Sequence, residues 1–204
     1  MHRLFHAEKQ ISHVTGTLSG MLKNENARRM TPRQRVELAT LIASSYTYFW
    51  TVRPKCQDIQ PLSFIYYSTS EGDDAWTDGN LPILKPYLDF GFGQRPPQKM
   101  LGESSGVSRS QNAVIVELGL LLYQVGSCTS LKYGLSSRAL AEARRTAGFN
   151  LHLLDRTVSM AFAEVTEACL QYSANAARIV GDEGLEKFLQ GVAWRLLDMQ
   201  EKLY

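Results

Sequence analysis

The chain has 204 residues, 44% hydrophobic and 21% charged, which is enough for one domain with a real core and too apolar for wholesale disorder. Its 22 basic and 20 acidic side chains nearly cancel, removing any general electrostatic reason to expect nucleic acid. Cys56, Cys128 and Cys169 are odd in number, far apart and lack metal-ligand spacing. They argue for free thiols in a reducing compartment, the cytosol or nucleus. The N-terminus has no apolar signal core. The most apolar run, 113–125, is interrupted by Glu117 and Gln124 and is short of the ~20 residues of a membrane span.

Ile11, Val14, Leu18, Met21 and Leu22 recur at helical spacing and predict a first helix over 7–23, against the helix-weakening Gly16 and Gly20. A polar loop over 24–30 follows. Lys23, Arg28, Arg29, Arg33 and Arg35 gather there; a solvated basic surface is the default reading and an anion site the alternative. Thr31 as N-cap, Pro32 at the first helical position and Gln34 three residues after the cap mark a second helix. It is predicted to run to about residue 50, with Val36, Ala39, Ala43, Tyr46 and Phe49 or Trp50 inward and Pro54 ending it.

Phe64 to Tyr67 is aromatic and β-branched, which predicts a short strand. A turn-rich acidic insert over 68–80 carries Glu71, Asp73, Asp74 and Asp78 without calcium-loop spacing. A second strand over 81–88 is confined to an edge by Pro82 and Pro86. Residues 91–109, rich in Gly, Pro and Ser, predict an irregular loop.

From residue 110 the pattern is helical. Ser108 and Gln111 have capping-box spacing for a helix to about 125 that is apolar on nearly all sides, as a fully buried central helix must be. Ser136 or Ser137 opens a shorter helix closed by Gly148. Asn150 is placed to cap one long helix in which Leu151, Leu154, Val158, Phe162, Val165 and Cys169 face inward. Asp182 opens the last helix, with Leu185, Phe188 or Leu189, Val192, Leu196, Met199 and Leu203 as its stripe.

Two short stretches flank the predicted strands. Cys56-Gln57-Asp58-Ile59-Gln60-Pro61-Leu62-Ser63 precedes the first, and Asp89-Phe90-Gly91 follows the second. Together they resemble the catalytic loop H-R-D-x-x-x-x-N and the metal-binding D-F-G of protein kinases, with Asp58 in the Asp position and Ser63 in the Asn position. Leu118-Gly119 and Leu122-Tyr123-Gln124 resemble the Leu-Gly and Leu-Tyr-Glu of the kinase central helix. More closely, residues 35–45, Glu117-Leu118-Gly119, Ala168-Cys169-Leu170 and Phe188, Val192 and Leu196 resemble an uncharacterised family of fungal kinase-like domains, over roughly residues 19–203. In that family the domain commonly follows an N-terminal helical region.

The resemblance implies a mainly α fold, a kinase C-terminal-lobe-like helical domain with a small β-hairpin and no N-terminal lobe. It covers one domain over 1–204, with an N-terminal helix and loop to residue 30 and a core from 31. It also implies decay of the chemistry. Phosphoryl transfer depends on clamped phosphates, held metal and an oriented nucleophile. Asp58 stands where the base would, and Asp89 where a Mg²⁺ ligand would. Ser63, Gln57 and Cys56 replace the Asn, Arg and His. No Ala-Pro-Glu lies between Gly93 and Ser110. No G-x-G-x-x-G loop and no strand-borne Lys precede Asp58.

The expectation is therefore a pseudokinase acting as a protein-interaction or regulatory module, not an enzyme. Asp58, Ser63 and Asp89 are then relic positions, and no cofactor or metal is bound. Another protein or an upstream helical domain is the expected partner, covering apolar surface near Ile11, Val14 and Phe64; nucleic acid and a membrane span are not expected. The rival is a residual nucleotide- and Mg-binding, phosphotransferase-like switch that uses Asp58 and Asp89. His2, His6, His13 and His152 have no ligand spacing, and no G-x-S-x-G supports a hydrolase. Trp50, Trp76 and Trp194 are read as packing residues, Trp76 alternatively as an exposed contact.

Overall fold

In the computed structural model the described residues are 14–17, 22, 30–52, 63–68, 87–89, 111–131, 137–172 and 182–203, the strands by backbone alone. Helix α1 (Pro32–Val52) begins at its capping box. Thr31 Oγ1 accepts from the Gln34 amide at 3.3 Å, and Gln34 Oε1 accepts from the Thr31 amide at 2.8 Å. Two orphan donors of the first turn are thereby satisfied, and Pro32 fills the position whose missing N–H costs nothing. Val36, Ala39, Ile42, Ala43 and Tyr46 form its buried stripe.

Helix α2 (Gln111–Ser127) is buried from 114 to 120 and again from 122 to 126. Nothing in its sequence offers water a polar face, so neighbours cover it all round: α1, α3 (Ser137–Phe149), α4 (His152–Thr157) and α5 (Met160–Leu170). Its C-terminus closes in a Schellman arrangement. The Thr129 amide donates to the Gln124 carbonyl at 3.1 Å and the Cys128 amide to Val125 at 3.3 Å. Cys128 takes the left-handed position with φ 50°, a place glycine usually fills. The buried Gln124 side chain fixes the exit, donating to the Leu120 carbonyl and accepting from the Leu131 amide at 2.9 Å.

The single long helix predicted after Asn150 is two helices. Val158 leaves helical geometry, and Ser159 is extended at φ −172°, ψ 161°, its hydroxyl accepting from the Phe162 amide at 3.2 Å. A serine that can cap competes with helix continuation, and here the cap prevails. Asn150 caps no helix start; its side-chain amide donates to the Thr146 carbonyl at 2.9 Å at the end of α3. The inward residues survive the break. Leu154, Phe162, Val165 and Cys169 are buried, and Leu151 and Val158 pack against the core.

Helix α6 (Asp182–Lys202) buries Leu185, Leu189, Val192, Leu196 and Met199 and packs most extensively on α1. Phe188, half-buried, meets the Tyr172 ring at 4.7 Å between centroids. Two sequence readings fail on this helix. Leu203 lies off the buried stripe, and Trp194, read as packing, is 69% exposed. Among the described residues the fold is mainly α, with six helices.

The remaining elements are β1 (Val14–Thr17), β2 (Ser63–Ser68) and β3 (Tyr87–Asp89), an antiparallel sheet in that order. The helix predicted over 7–23 is thereby corrected at Val14–Thr17; the rest of that prediction, Leu22 apart, lies outside the described residues. Val14, Thr15 and Thr17 are β-branched and Gly16 weakens a helix interior, so the segment pairs Val14 with Ser68 and Thr17 with Ile65 instead. Of the strand predicted over 81–88 only Tyr87 and Leu88 are described, in β3; the acidic insert predicted over 68–80, Ser68 apart, and the loop predicted over 91–109 lie outside the described residues.

Two glycines separate packing from propensity. A Cβ on Gly119 would stand 2.9 Å from Cys169 Cβ and 3.0 Å from the Leu170 backbone nitrogen, where α2 meets α5. Gly191, exposed within α6, has nothing within 4 Å of that position. Gly119→Ala is expected to cost about 1–3 kcal/mol through overpacking. Gly191→Ala should stabilise by about 1 kcal/mol through helix propensity alone. Urea titrations should show midpoints moving in opposite directions at unchanged slope.

Candidate functional site

Of the three relic positions, two are described, and the sheet brings them together. The antiparallel register pairs Ser63 with Asp89, Phe64 with Leu88 and Ile65 with Tyr87. Ser63 opens β2 and Asp89 closes β3, so residues distant in sequence occupy opposite positions at one end of a strand pair. Asp58, with Cys56 and Gln57, lies outside the described residues, as do Ile11, Phe90 and Gly91.

Two charged side chains are buried among the described residues, Arg35 and Glu117, and Arg35 is spent on structure. Arg35, read from sequence as part of a basic surface cluster, is only 9% exposed. Its Nε donates to the Met30 carbonyl at 3.0 Å and its Nη1 to the Gly126 carbonyl at 2.8 Å. Gly126 lies in the last turn of α2, where carbonyls lack helical partners and a cation is favoured by the helix dipole. Thr157 of α4 donates its hydroxyl to the same carbonyl at 3.1 Å. Three helices therefore converge on one oxygen. The position of Arg35, four residues past an N-cap on the buried face of α1, could have signalled this role.

The described thiols are structural as well. Cys128 and Cys169 are free and buried. Burial pushes the Cys169 thiol up to about 12, leaving it protonated and a poor nucleophile at neutral pH. Burial also raises Tyr172, and raises Tyr123 against the opposing hydrogen bonds from Ser127 and Thr129. On the surface, Glu183 is lowered and Lys187 raised by their mutual hydrogen bond at 2.7 Å. Among the described residues no three His, Cys, Asp or Glu side chains group to hold a metal ion, and no helix is long and apolar enough to cross a membrane.

No protein-family model, no curated protein and no solved structure matches the chain.

Replacing Arg35 by Leu removes the donors to Met30 and Gly126 and is expected to cost on the order of 3 kcal/mol. A double-mutant cycle with Thr157→Val should show coupling, because both side chains serve one carbonyl. Cys169 gives a pH-dependent signature. Its native value lies above the ordinary 9.0, so the stability it contributes is whole below about pH 9 and is lost as pH rises toward 12. The cost of Cys169→Ala, measured by denaturation, should be about 2 kcal/mol smaller at about pH 10.5 than at about pH 7.

Proposed function

We propose that the chain is a catalytically inactive, kinase-like helical domain that works as a protein-interaction or regulatory module. The observation that carries this reading is the pairing of Ser63 with Asp89. In the kinase resemblance these are the second-metal and first-metal ligand positions, which must stand close together to serve one nucleotide. The burial of α2 on all sides supports the same lineage, since the central helix of that lobe is its core.

The inactive half of the reading comes from residue chemistry. A serine hydroxyl is neutral and shorter than the asparagine amide it replaces, so Ser63 is a weak metal ligand beside Asp89. Without a phosphate-covering glycine loop or a phosphate-pairing lysine, nucleotide phosphates lack most of the positive charge and backbone donors that position them. A fold kept intact while such groups are lost is suited to presenting surface. Free, buried cysteines fit a reducing setting, the cytosol or nucleus.

The register also favours one second reading. Asp89 still stands at the strand end opposite position 63, so a single-metal, nucleotide-dependent switch through Asp58 and Asp89 is the alternative.

Incubation with labelled Mg-ATP and a generic protein acceptor is expected to give no transfer above that of Asp58→Asn. Transfer that vanishes in Asp58→Asn overturns the inactive reading. A melting temperature raised by Mg-ATP in the wild type and unmoved in Asp89→Ala establishes the switch instead; an unchanged melting temperature removes it.

A further inference from the structure

Away from the sheet, the C-terminal half of α3, the start of α4 and the end of α5 enclose an open groove of about 300 Å³. This lies at the lower end of the about 300–1,000 Å³ of ligand pockets and is enough for one large side chain. Its floor is apolar: Ala141, Leu151 and the edge of Leu170. Gly148 leaves a gap in the wall, because nothing lies within 4 Å of where its Cβ would be. The rim carries two guanidinium groups, Arg144 and Arg145, the first half-buried and the second exposed.

Neither arginine makes a hydrogen bond or ion pair among the described residues. No carboxylate is among the lining residues, and the one polar uncharged side chain there, Gln171, donates its amide to Glu167 at 2.6 Å. With two guanidiniums and no carboxylate among its lining residues, the groove is net positive. Guanidinium is the cation that pairs carboxylates in a two-pronged, directional way. An apolar seat beside two such forks matches a ligand with an apolar side chain next to acidic ones.

We propose that this groove is a docking site for an acidic peptide segment of a partner protein, with Asp or Glu side chains on Arg144 and Arg145 and an apolar side chain over Leu151 and Leu170. The proposal rests on the interaction-module reading and gives it a surface and a partner chemistry. A bare anion would leave the apolar floor uncovered, and a purely apolar segment would leave both guanidiniums unused.

The probe is an immobilised library of short peptides, each with one Leu, Ile, Phe or Trp among Asp and Glu, beside a charge-reversed Lys library. The full chain should retain acidic members with micromolar affinity, ignore the Lys library, and weaken at least tenfold from about 50 to about 300 mM salt. Arg144→Glu/Arg145→Glu should lose at least tenfold. Gly148→Leu, which fills the gap while improving helix propensity, should lose a similar factor with helicity and melting temperature preserved or raised.

Equal retention by both variants overturns the groove, as does failure of every acidic peptide. Binding of inorganic phosphate as tight as that of peptide reduces the site to a simple anion site. Binding to phosphatidylserine vesicles in place of peptides replaces the partner with a membrane surface. Mg-ATP transfer on the same preparations bears only on the module reading, so the two failures are told apart.

Discussion

A helix apolar on nearly all sides has no stable exposure to water, and the burial of α2 is the constraint from which the rest of this fold follows. Each of its faces must meet another helix, which fixes how many neighbours it has and how closely they approach. Gly119 marks one close contact, because only hydrogen fits between α2 and α5 there. Gly126 marks another, where a Cβ would fall 2.6 Å from the Phe162 ring and 2.7 Å from Leu154. Surrounding a helix this way leaves its last carbonyls in a place water does not reach. The Gly126 oxygen is therefore met by Arg35 from α1 and Thr157 from α4. A buried arginine is costly unless its donors are used, and two of them are used on backbone carbonyls.

This arrangement separates the two kinds of chemistry in the chain. The helical body holds its cation, its thiols and its buried amide in structural roles, with Arg35 on carbonyls, Cys169 kept neutral by burial and Gln124 fastening the exit of α2. None of these groups is placed to turn over a substrate. The residues with a claim to catalysis lie instead on the strands, where Ser63 and Asp89 face each other in register. Among the described residues the polar interior of the helical body is spent on holding its helices in place.

Much of the helical body was legible in the residues because local chemistry and burial point the same way. The capping box of Thr31 and Gln34 has one good use, and the run at 113–125 has one environment that tolerates it. Where two local signals compete, sequence alone does not rank them. Ser159 is acceptable within a helix and better as a cap, and the outcome depends on how α4 and α5 must turn to keep Leu154 and Phe162 both buried. Val14 to Thr17 shows the same conflict between period and propensity, resolved by a partner strand far along the chain. Charge alone grouped Arg35 with its basic neighbours; its place on the buried face of α1 was the available signal, and which carbonyl it meets depends on the partner helix. Trp194 is the converse: aromatic mass predicts burial on average, yet α6 buries the stripe of Leu185, Leu189, Val192 and Leu196 and leaves Trp194 outside it.

The strand pair and the arginine-rimmed groove answer to different constraints. Ser63 and Asp89 are paired in the backbone register of β2 and β3, and ladder pairing does not depend on which side chains occupy those positions. The groove is different, because nothing in α3 requires arginine at 144 or 145. Both side chains lie outside the buried stripe of Ala143 and Ala147, and neither makes a hydrogen bond or ion pair among the described residues. Glycine at 148 is likewise no requirement of packing, since space is open above it and alanine there would favour the helix. Two unengaged guanidiniums and a helix glycine bordering an apolar floor are features the fold does not need. Residues that stability leaves unexplained are where a binding role is best sought.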